Sequence, residues 1–180
     1  MIGRLPLLLL SLAMVAAVAL WAPARVLATQ QSVQPVVEDL VLGTWVLNVA
    51  KSTYSPGPAP RSQTRTYEAH EKGVKASIKT VDAAGNSTFS EYIAAYDGIE
   101  YPLTGSPTSN GIALKKIDAY TAEVAVMHAG KPTGTARRVI SRDGKTMTIT
   151  YRASTAGFYE AVYDRQGAVV ASLSERIFGS

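Results

Sequence analysis

Hydrophobic and polar residues alternate along most of the chain beyond residue 40. Val74, Ala76 and Ile78 are separated by Lys75 and Ser77, and this period of two predicts a strand with one face on a core and the other in water. Similar short runs occur at 40–49, 63–70, 87–96, 112–117, 120–128, 135–142, 145–152 and 158–164. No segment beyond residue 40 has a convincing helical period, so the pattern predicts an all-β fold.

Turn-forming residues separate these predicted strands. Three segments place Gly, Asn or Asp where a tight hairpin needs a positive φ: Glu71-Lys72-Gly73, Asp82-Ala83-Ala84-Gly85-Asn86 and Arg142-Asp143-Gly144-Lys145. Tight hairpins join neighbouring antiparallel strands, so we expect a meander built in chain order. Closure of such a sheet removes its two exposed edges, and we therefore predict a single up-and-down β-barrel of about 8–10 strands. A two-sheet sandwich is the alternative, but it needs longer crossing connections.

The first 28 residues have the composition of a secretory signal peptide. Arg4 gives a positively charged start, residues 5–20 are almost entirely apolar, and Val26-Leu27-Ala28 fits a small-residue cleavage site. A retained membrane anchor is the alternative, because the apolar run approaches the roughly 18–20 residues that span a bilayer. We therefore divide the chain into a signal peptide (1–28), a flexible spacer (29–39), a barrel domain (40–167) and a C-terminal strand or frayed tail (168–180).

Cysteine content and charge narrow the class of protein. The chain contains no cysteine, so its stability in an oxidising compartment must come from a core rather than from disulfides. This favours a bacterial periplasmic or secreted protein, with the membrane contacted only through an uncleaved leader.

The formal net charge of +4 falls to +2 when Arg4 and Arg25 are removed with the signal peptide. We interpret Lys115-Lys116 and Arg137-Arg138 as a solvated outer face and predict no nucleic-acid binding, which requires a clustered basic stripe.

Several segments resemble a known family. They are Gly43-Thr44-Trp45-Val46-Leu47-Asn48, Tyr96-Asp97-Gly98-Ile99-Glu100-Tyr101 and Asp143-Gly144-Lys145-Thr146-Met147-Thr148. They look like the lipocalin-like domain of small exported bacterial proteins, a group without an established activity, and the likeness covers most of residues 40–164. The resemblance implies a calycin-type barrel. By similarity to the lipocalins proper, Gly43 and Trp45 plug its narrow end beneath a late-strand arginine, for which we assign Arg152 with Arg165 as the alternative.

The abundance of tyrosine suggests a cavity of mixed polarity. The chain has nine tyrosines against three phenylalanines, and each tyrosine ring adds apolar area while its hydroxyl adds one directed hydrogen bond. Tyrosine is also an ordinary strand residue that stabilises sheets through cross-strand pairs, and alternation alone leaves open which face points inward. If they face inward, they suit a ligand with a flat or aliphatic body and one or two polar atoms. The candidate ligand-binding residues are Tyr67, Ile78, Tyr92, Tyr96, Tyr101 and Tyr151.

The segment 51–62 lies between the first two predicted strands. Pro56, Pro58 and Pro60 make it stiff and unable to donate backbone hydrogen bonds, so we expect no strand there. A loop of this length at a barrel mouth can act as a lid. A rigid cover that protects a sheet edge from aggregation is equally compatible with the composition.

Motifs for catalysis and for cofactor binding are absent from the sequence. There is no Gly-x-Ser-x-Gly, no cysteine nucleophile, no His-Glu-x-x-His and no phosphate-binding glycine loop. Either of the two histidines, His70 or His128, offers an axial ligand for haem, but histidines beside loops are usually solvated. Glu91 or Glu100 would be a general base if buried, without an evident partner. We therefore predict no enzyme activity, no cofactor and no metal site.

The predicted function is that of an exported barrel that binds a small hydrophobic or amphipathic molecule without transforming it. In this hypothesis the apolar part of the ligand is buried in the barrel, tyrosine hydroxyls orient its polar end and residues 51–62 gate entry. The alternative is an envelope interaction or stress-protective module whose barrel is filled by its own side chains. A third and weaker alternative is an enzyme of the barrel type.

Overall fold

Residues 39–167 are the part of the chain that the computed structural model describes, and nearly all of them belong to strands or tight turns. A short 3-10 turn, Val49–Lys51, separates the first two strands. The strands are β1 Gly43–Leu47, β2 Thr53–Ser55, β3 Ser62–His70, β4 Gly73–Val81, β5 Ser87–Ala94, β6 Asp97–Thr104, β7 Gly111–Lys116, β8 Thr121–His128, β9 Lys131–Ile140, β10 Thr146–Ala153 and β11 Phe158–Arg165.

The strands form a closed barrel. From β3 to β11 each strand is hydrogen-bonded to the next in chain order, and every pairing is antiparallel. The ring closes because β1 pairs with β3 on one side and with β11 on the other. Ten strands complete the ring, and β2 runs alongside β11 beyond the end of β1. The predicted all-β up-and-down barrel is confirmed, and the sandwich alternative is wrong.

Alternate residues of each strand face the interior and build the core. Its largest fully buried side chains are Trp45, Tyr163, Leu114, Met147, Val41 and Val74. Complete burial of one large apolar side chain contributes about 1.5–3 kcal/mol. Packing of this kind stabilises a chain that contains no cysteine.

The barrel has two different ends. Strand direction alternates, so the start of β1, the β3–β4 turn and the β9–β10 turn lie at one end, which we call the closed end. The opposite end, which we call the open end, carries the β4–β5 turn and the loop 105–110. Residues 51–62 also lie at the open end, where Arg61 Nε donates a hydrogen bond to the carbonyl oxygen of Ala83 at 3.1 Å.

Two strands lie where the sequence did not predict them. Thr53–Ser55 forms β2 because the prolines of this region begin only at Pro56, after the pairing with β11 has ended. Strand β6 contains Pro102, which has no N–H to donate. Only Glu91 and Tyr92 of β5 pair with β6, opposite Thr104 and Leu103. Pro102 lies just outside these two pairs, so its lack of an N–H removes no hydrogen bond between β5 and β6.

The predicted signal peptide 1–28, spacer residues 29–38 and tail 168–180 lie outside the described residues. Within residues 39–167, no helix has the length and apolar character needed to cross a membrane.

Candidate ligand-binding cavity

Trp45 and Arg165 seal the closed end of the barrel. The Trp45 ring is fully buried, and its Nε1 donates a hydrogen bond to the carbonyl oxygen of Val41 at 2.7 Å. The Arg165 guanidinium lies over this ring with Cζ 4.4 Å from the centroid, an attractive cation–π geometry. It also donates hydrogen bonds to the carbonyl oxygens of Gly144 at 2.6 Å, Leu42 at 2.8 Å and Leu40.

Gly43 leaves room for this arginine. Its φ of 117° is one that glycine adopts without strain, and a Cβ atom there would lie 3.2 Å from Nη1 of Arg165. The structure therefore brings Gly43 and Trp45 together at the closed end, but the assignment of Arg152 as their cation is wrong. Arg152 is exposed, with its Cζ 5.1 Å from the Phe158 ring. Successive strand residues point to opposite faces, and Tyr151 faces the interior.

Above this seal the barrel encloses a cavity of about 360 Å³. This lies within the size range of small-molecule sites. Its apolar wall is formed by Ile78, Leu103, Ile112, Val124, Val126, Ala136 and Ile149. Its polar lining consists of Gln63, Arg65, Tyr67, Thr80, Thr88, Ser90, Tyr92, Arg138, Tyr151 and Tyr159, with residues 106–109 at the open end.

Arg138 lies at the inner end of the cavity. Its side chain comes from β9, is 4% exposed and donates a hydrogen bond from Nη2 to the Tyr96 hydroxyl at 2.6 Å. Its Cζ lies 5.2 Å from the Tyr67 ring centroid and 5.6 Å from that of Tyr96. The guanidinium is thus held between two aromatic faces while its edge reaches the cavity.

Arg65 lies on β3, one inward position closer to the open end than Tyr67. Its Nε donates to Gln63 Oε1 at 3.0 Å and to the Tyr163 hydroxyl at 3.1 Å, and its Cζ lies 5.4 Å from the Tyr163 ring. The Tyr163 hydroxyl in turn donates to Gln63 Oε1, and Gln63 Nε2 donates to Thr80 Oγ1 at 2.7 Å. This network fixes the position of Arg65 through groups that are all uncharged.

No carboxylate of residues 39–167 lines the cavity. Within residues 39–167 the ion pairs all involve other cations: Lys51–Asp164, Lys75–Glu91, Lys116–Asp39 and Arg137–Glu123. Glu91 and Glu100 both lie on the outer side of the barrel, Glu91 beside Lys75 and Ser77, so the interpretation of either as a buried general base is wrong. The interior therefore carries two positive charges without a direct acidic partner.

Burial and the charges of the two arginines shift the pKa values of the surrounding tyrosines. Burial by itself would raise the pKa of Tyr67, but the charges of Arg65 and Arg138 outweigh it and lower the pKa. The pKa of Tyr92 is raised, mainly by burial, and burial also raises the pKa of Tyr96 to about 12. A neutral hydroxyl can both donate and accept a hydrogen bond, so these groups can meet either polar end of a ligand.

Three tyrosine rings stack across neighbouring strands near the open end. The ring centroids of Tyr151 and Tyr159 are 4.9 Å apart with an interplanar angle of 18°, and those of Tyr159 and Tyr54 are 5.3 Å apart at 25°. Tyr151 and Tyr159 line the cavity, so this stack presents an aromatic wall to anything that enters. Burial raises the pKa of Tyr159 to about 12.

The segment that covers the cavity is the β6–β7 loop, not the proline-rich segment. Residues 106–109 contribute to the lining, and Ser109 is buried with its hydroxyl 3.3 Å from that of Thr133. None of residues 51–62 lines the cavity except through the stacking of Tyr54 on Tyr159. The expectation that residues 51–62 gate entry is therefore replaced by a cover formed from the loop 105–110.

The structure brings four of the six predicted ligand-binding residues into the cavity lining. These are Tyr67, Ile78, Tyr92 and Tyr151. Tyr96 lies beyond the end of β5, behind Arg138, where its hydroxyl accepts the hydrogen bond from the guanidinium. Tyr101 lies outside the lining, and its hydroxyl donates to Asp97 Oδ2 at 2.8 Å.

Sequence reasoning missed the two cavity arginines. Arg138 was interpreted as part of a solvated pair with Arg137, but only Arg137 points outward, where it meets Glu123 at 4.0 Å. Alternation carries the signal: Arg138 has the same parity as Ala136 and Ile140, both of which contact the core. Arg65 likewise shares its face with Tyr67.

The histidines and the larger surface groove do not contribute to this cavity. His70 Nδ1 accepts a hydrogen bond from the backbone N–H of Lys72 at 3.1 Å, and His128 is exposed at the open end. In the described part of the chain no three His, Asp or Glu side chains come together as a metal site. A groove of about 610 Å³ runs over the outward faces of β7 to β10, where Lys115, Glu123 and Arg137 are solvated.

Comparisons with known proteins reach only to distant structures. No family model matches the chain, and no curated protein matches it. The fluorescent protein UnaG is 14% identical with a TM-score of 0.47, over 69% of this chain and 96% of that one. A redesigned β-barrel, mFAP1, bound to DFHBI is 11% identical with a TM-score of 0.40, over 70% and 95%. At these values membership of the lipocalin-like family stays a prediction.

Proposed function

We propose that the protein is an exported barrel that binds a small amphipathic molecule inside its cavity and does not transform it. The observation that carries this proposal is the interior space of about 360 Å³, whose lining combines apolar side chains with arginine and tyrosine side chains. An amphipathic ligand matches both surfaces at once, because it buries its apolar part and satisfies the polar groups.

The cavity favours binding over the alternative of a barrel filled by its own side chains. A filled barrel packs at close to crystal density and leaves few voids larger than one water molecule. The space here corresponds to roughly a dozen waters at about 30 Å³ each. Its polar lining would hold water in the absence of a ligand, and a ligand that displaces this water gains the burial of its apolar surface.

The lining supports binding rather than chemistry. General acid–base catalysis usually employs a histidine or a carboxylate within hydrogen-bond reach of the reacting atom. Neither residue type occurs among the side chains that line the cavity. The export that we propose depends on residues 1–28. It is tested by determining the N-terminal sequence of the protein recovered from the cell envelope, which we expect to start near residue 29. Recovery of the protein in the cytoplasm with residues 1–28 intact would contradict export.

Intact-mass measurement under native and denaturing conditions tests the proposal. The protein is purified from cells that express the full chain and is measured before and after incubation with a lipid extract of those cells. We expect an extra mass of a small molecule that is lost on denaturation. No extra mass in either sample contradicts the proposal and favours the filled barrel.

A pair of variants locates the bound molecule. Ala136→Phe places a ring in the cavity, whereas Ala125→Phe places the same ring on the outer groove. We expect Ala136→Phe to lower the occupancy at least about tenfold, because the added ring takes up a large part of the space. Ala125→Phe should leave the occupancy unchanged, and equal losses in the two variants would place the ligand outside the barrel.

A further inference from the structure

Arg65 and Arg138 both present guanidinium nitrogens to the cavity. Apart from the Tyr67 hydroxyl, which both side chains approach, the Nη atoms of Arg65 and the Nε and Nη1 atoms of Arg138 have no hydrogen-bond partner among residues 39–167. No buried side-chain nitrogen in this part of the chain is both inaccessible and unpaired. These nitrogens of the buried Arg138 and the half-buried Arg65 therefore face open space, and both side chains line the cavity.

These two charges have no direct counter-charge. Asp39 and Asp118 lie near Arg138 without an ion pair to it, and Asp39 contacts the Tyr96 hydroxyl and is itself paired with Lys116 Nζ at 3.4 Å. Cation–π contacts with Tyr67 and Tyr163 reduce the cost of burial without neutralising the charges. A buried charge without a counter-charge is expensive to maintain, so the buried Arg138 and the half-buried Arg65 beside it are suited to receiving an anion.

The rest of the lining includes apolar side chains. Leu103, Ile112 and Val124, on β6, β7 and β8, offer no hydrogen-bonding group to a ligand, whereas Ile78 and Ile149 pair directly across the strands with Arg65 and Arg138. A ligand that meets both kinds of surface therefore has an anionic head and a hydrocarbon body. With room for roughly a dozen water-sized atoms, the cavity suits a compact or medium-chain acid of about that many non-hydrogen atoms.

We infer that the natural ligand is a small amphipathic acid whose carboxylate is bound by Arg65 and Arg138 and whose body lies against the apolar wall. This inference rests on the proposed function and adds the chemical class of the ligand. A carboxylate accepts up to about four hydrogen bonds, and guanidinium groups present paired donors that match its two oxygens. The Tyr67 hydroxyl, which both arginines approach, is placed to donate a further hydrogen bond.

Isothermal titration calorimetry with decanoate, decanol and decylamine tests the assignment. The three compounds share one hydrocarbon body and differ in the head group. We expect decanoate to bind at least about tenfold more tightly than decanol, and decylamine to bind most weakly. Similar affinities for all three would overturn the inference and leave the proposed function standing, whereas the absence of any binding would overturn both.

Three variants identify the groups responsible. Arg65→Gln and Arg138→Gln should each weaken decanoate at least about tenfold while changing the affinity for decanol less than about threefold. Arg137→Gln removes the same charge from the neighbouring outward position and should change neither affinity. Equal losses for decanoate and decanol would mean that the arginines only support the barrel, and would overturn the inference. If Arg138→Gln does not fold, Arg65→Gln and the wild-type comparison of head groups decide the result.

Discussion

Arg165, at the closed end, links its own strand β11 to two other backbone segments. It covers Trp45 and bonds to carbonyl oxygens before β1 and in the β9–β10 turn. Each hydrogen bond from a charged donor contributes about 1.5–3 kcal/mol when the partner is otherwise unsatisfied. The seal of the barrel therefore depends on this residue far more than on any surface cation.

Replacement of Arg165 by alanine should lower the free energy of unfolding by about 3 kcal/mol, because it removes the hydrogen bonds and uncovers Trp45. Arg152→Ala is the matched control, since Arg152 lies over the exposed side of Phe158 and should cost less than about 0.5 kcal/mol. Urea unfolding followed by tryptophan fluorescence measures both variants. Similar losses in the two would contradict the assignment of Arg165 as the closing residue.

Arg137 and Arg138 show which side-chain orientations could be predicted from the sequence and which could not. Alternation predicts that these neighbours face opposite sides, but composition favoured placing both charges in water. The tyrosines of the cavity were easier to predict, because tyrosine suits either a core or a binding surface. Arg138 required knowledge of the whole barrel, since its aromatic partners, Tyr67 on β3 and Tyr96 between β5 and β6, are distant from it in the sequence.

At the scale of elements, the hairpins define the barrel and one loop covers its cavity. The turns around Gly73, Gly85 and Gly144 were predictable because each needs a positive φ. Strand β6 was not predictable, since Gly98 and Pro102 resemble loop residues and its ladder with β5 spans only two residue pairs. The cover over the cavity begins where β6 ends, so this element positions the access to the site.

Two glycines with nearly equal φ angles allow the effect of displacing the loop 105–110 to be distinguished from the effect of backbone strain alone. Gly105 has φ 71° and Gly130 has φ 74°, but a Cβ atom at Gly105 would collide with the carbonyl oxygen of Phe89, whereas Gly130 is free of contacts. Gly130→Ala should cost about 1–2 kcal/mol from strain alone. Gly105→Ala should cost more and should change the rate at which decanoate enters, because the loop must shift. Stopped-flow fluorescence and urea unfolding check both, and identical behaviour of the two variants would contradict a cover at 105–110.

At the scale of the whole molecule, the barrel buries many phenol groups together with two permanent cations. Burial holds the pKa of Tyr96 and Tyr159 at about 12, above their ordinary value of 10.0. Tyr67 behaves in the opposite sense, because the neighbouring arginines lower its pKa. More tyrosines have a raised pKa than have the lowered pKa of Tyr67, so the raised pKa values determine how the free energy of unfolding changes at alkaline pH.

Stability should decrease as the pH rises from about 10 to about 12. A phenol with a raised pKa in the folded state stabilises the fold fully below the pKa of the unfolded chain, and this stabilisation is lost as the pH rises through the folded pKa. The melting temperature should fall by more than about 5 °C over this interval. Tyr159→Phe should make the fall shallower, and a melting temperature that rises over the same interval would contradict this assignment.

Ten strands closed in chain order leave an interior that side chains do not fill, and we infer that a small amphipathic acid occupies it. The most direct test is a crystal structure of the protein with decanoate. We predict decanoate inside the barrel, with its carboxylate in contact with Arg65 and Arg138 and its chain against Ile149. Decanoate bound only on the outer groove, or an interior closed by rearranged side chains, would contradict the account.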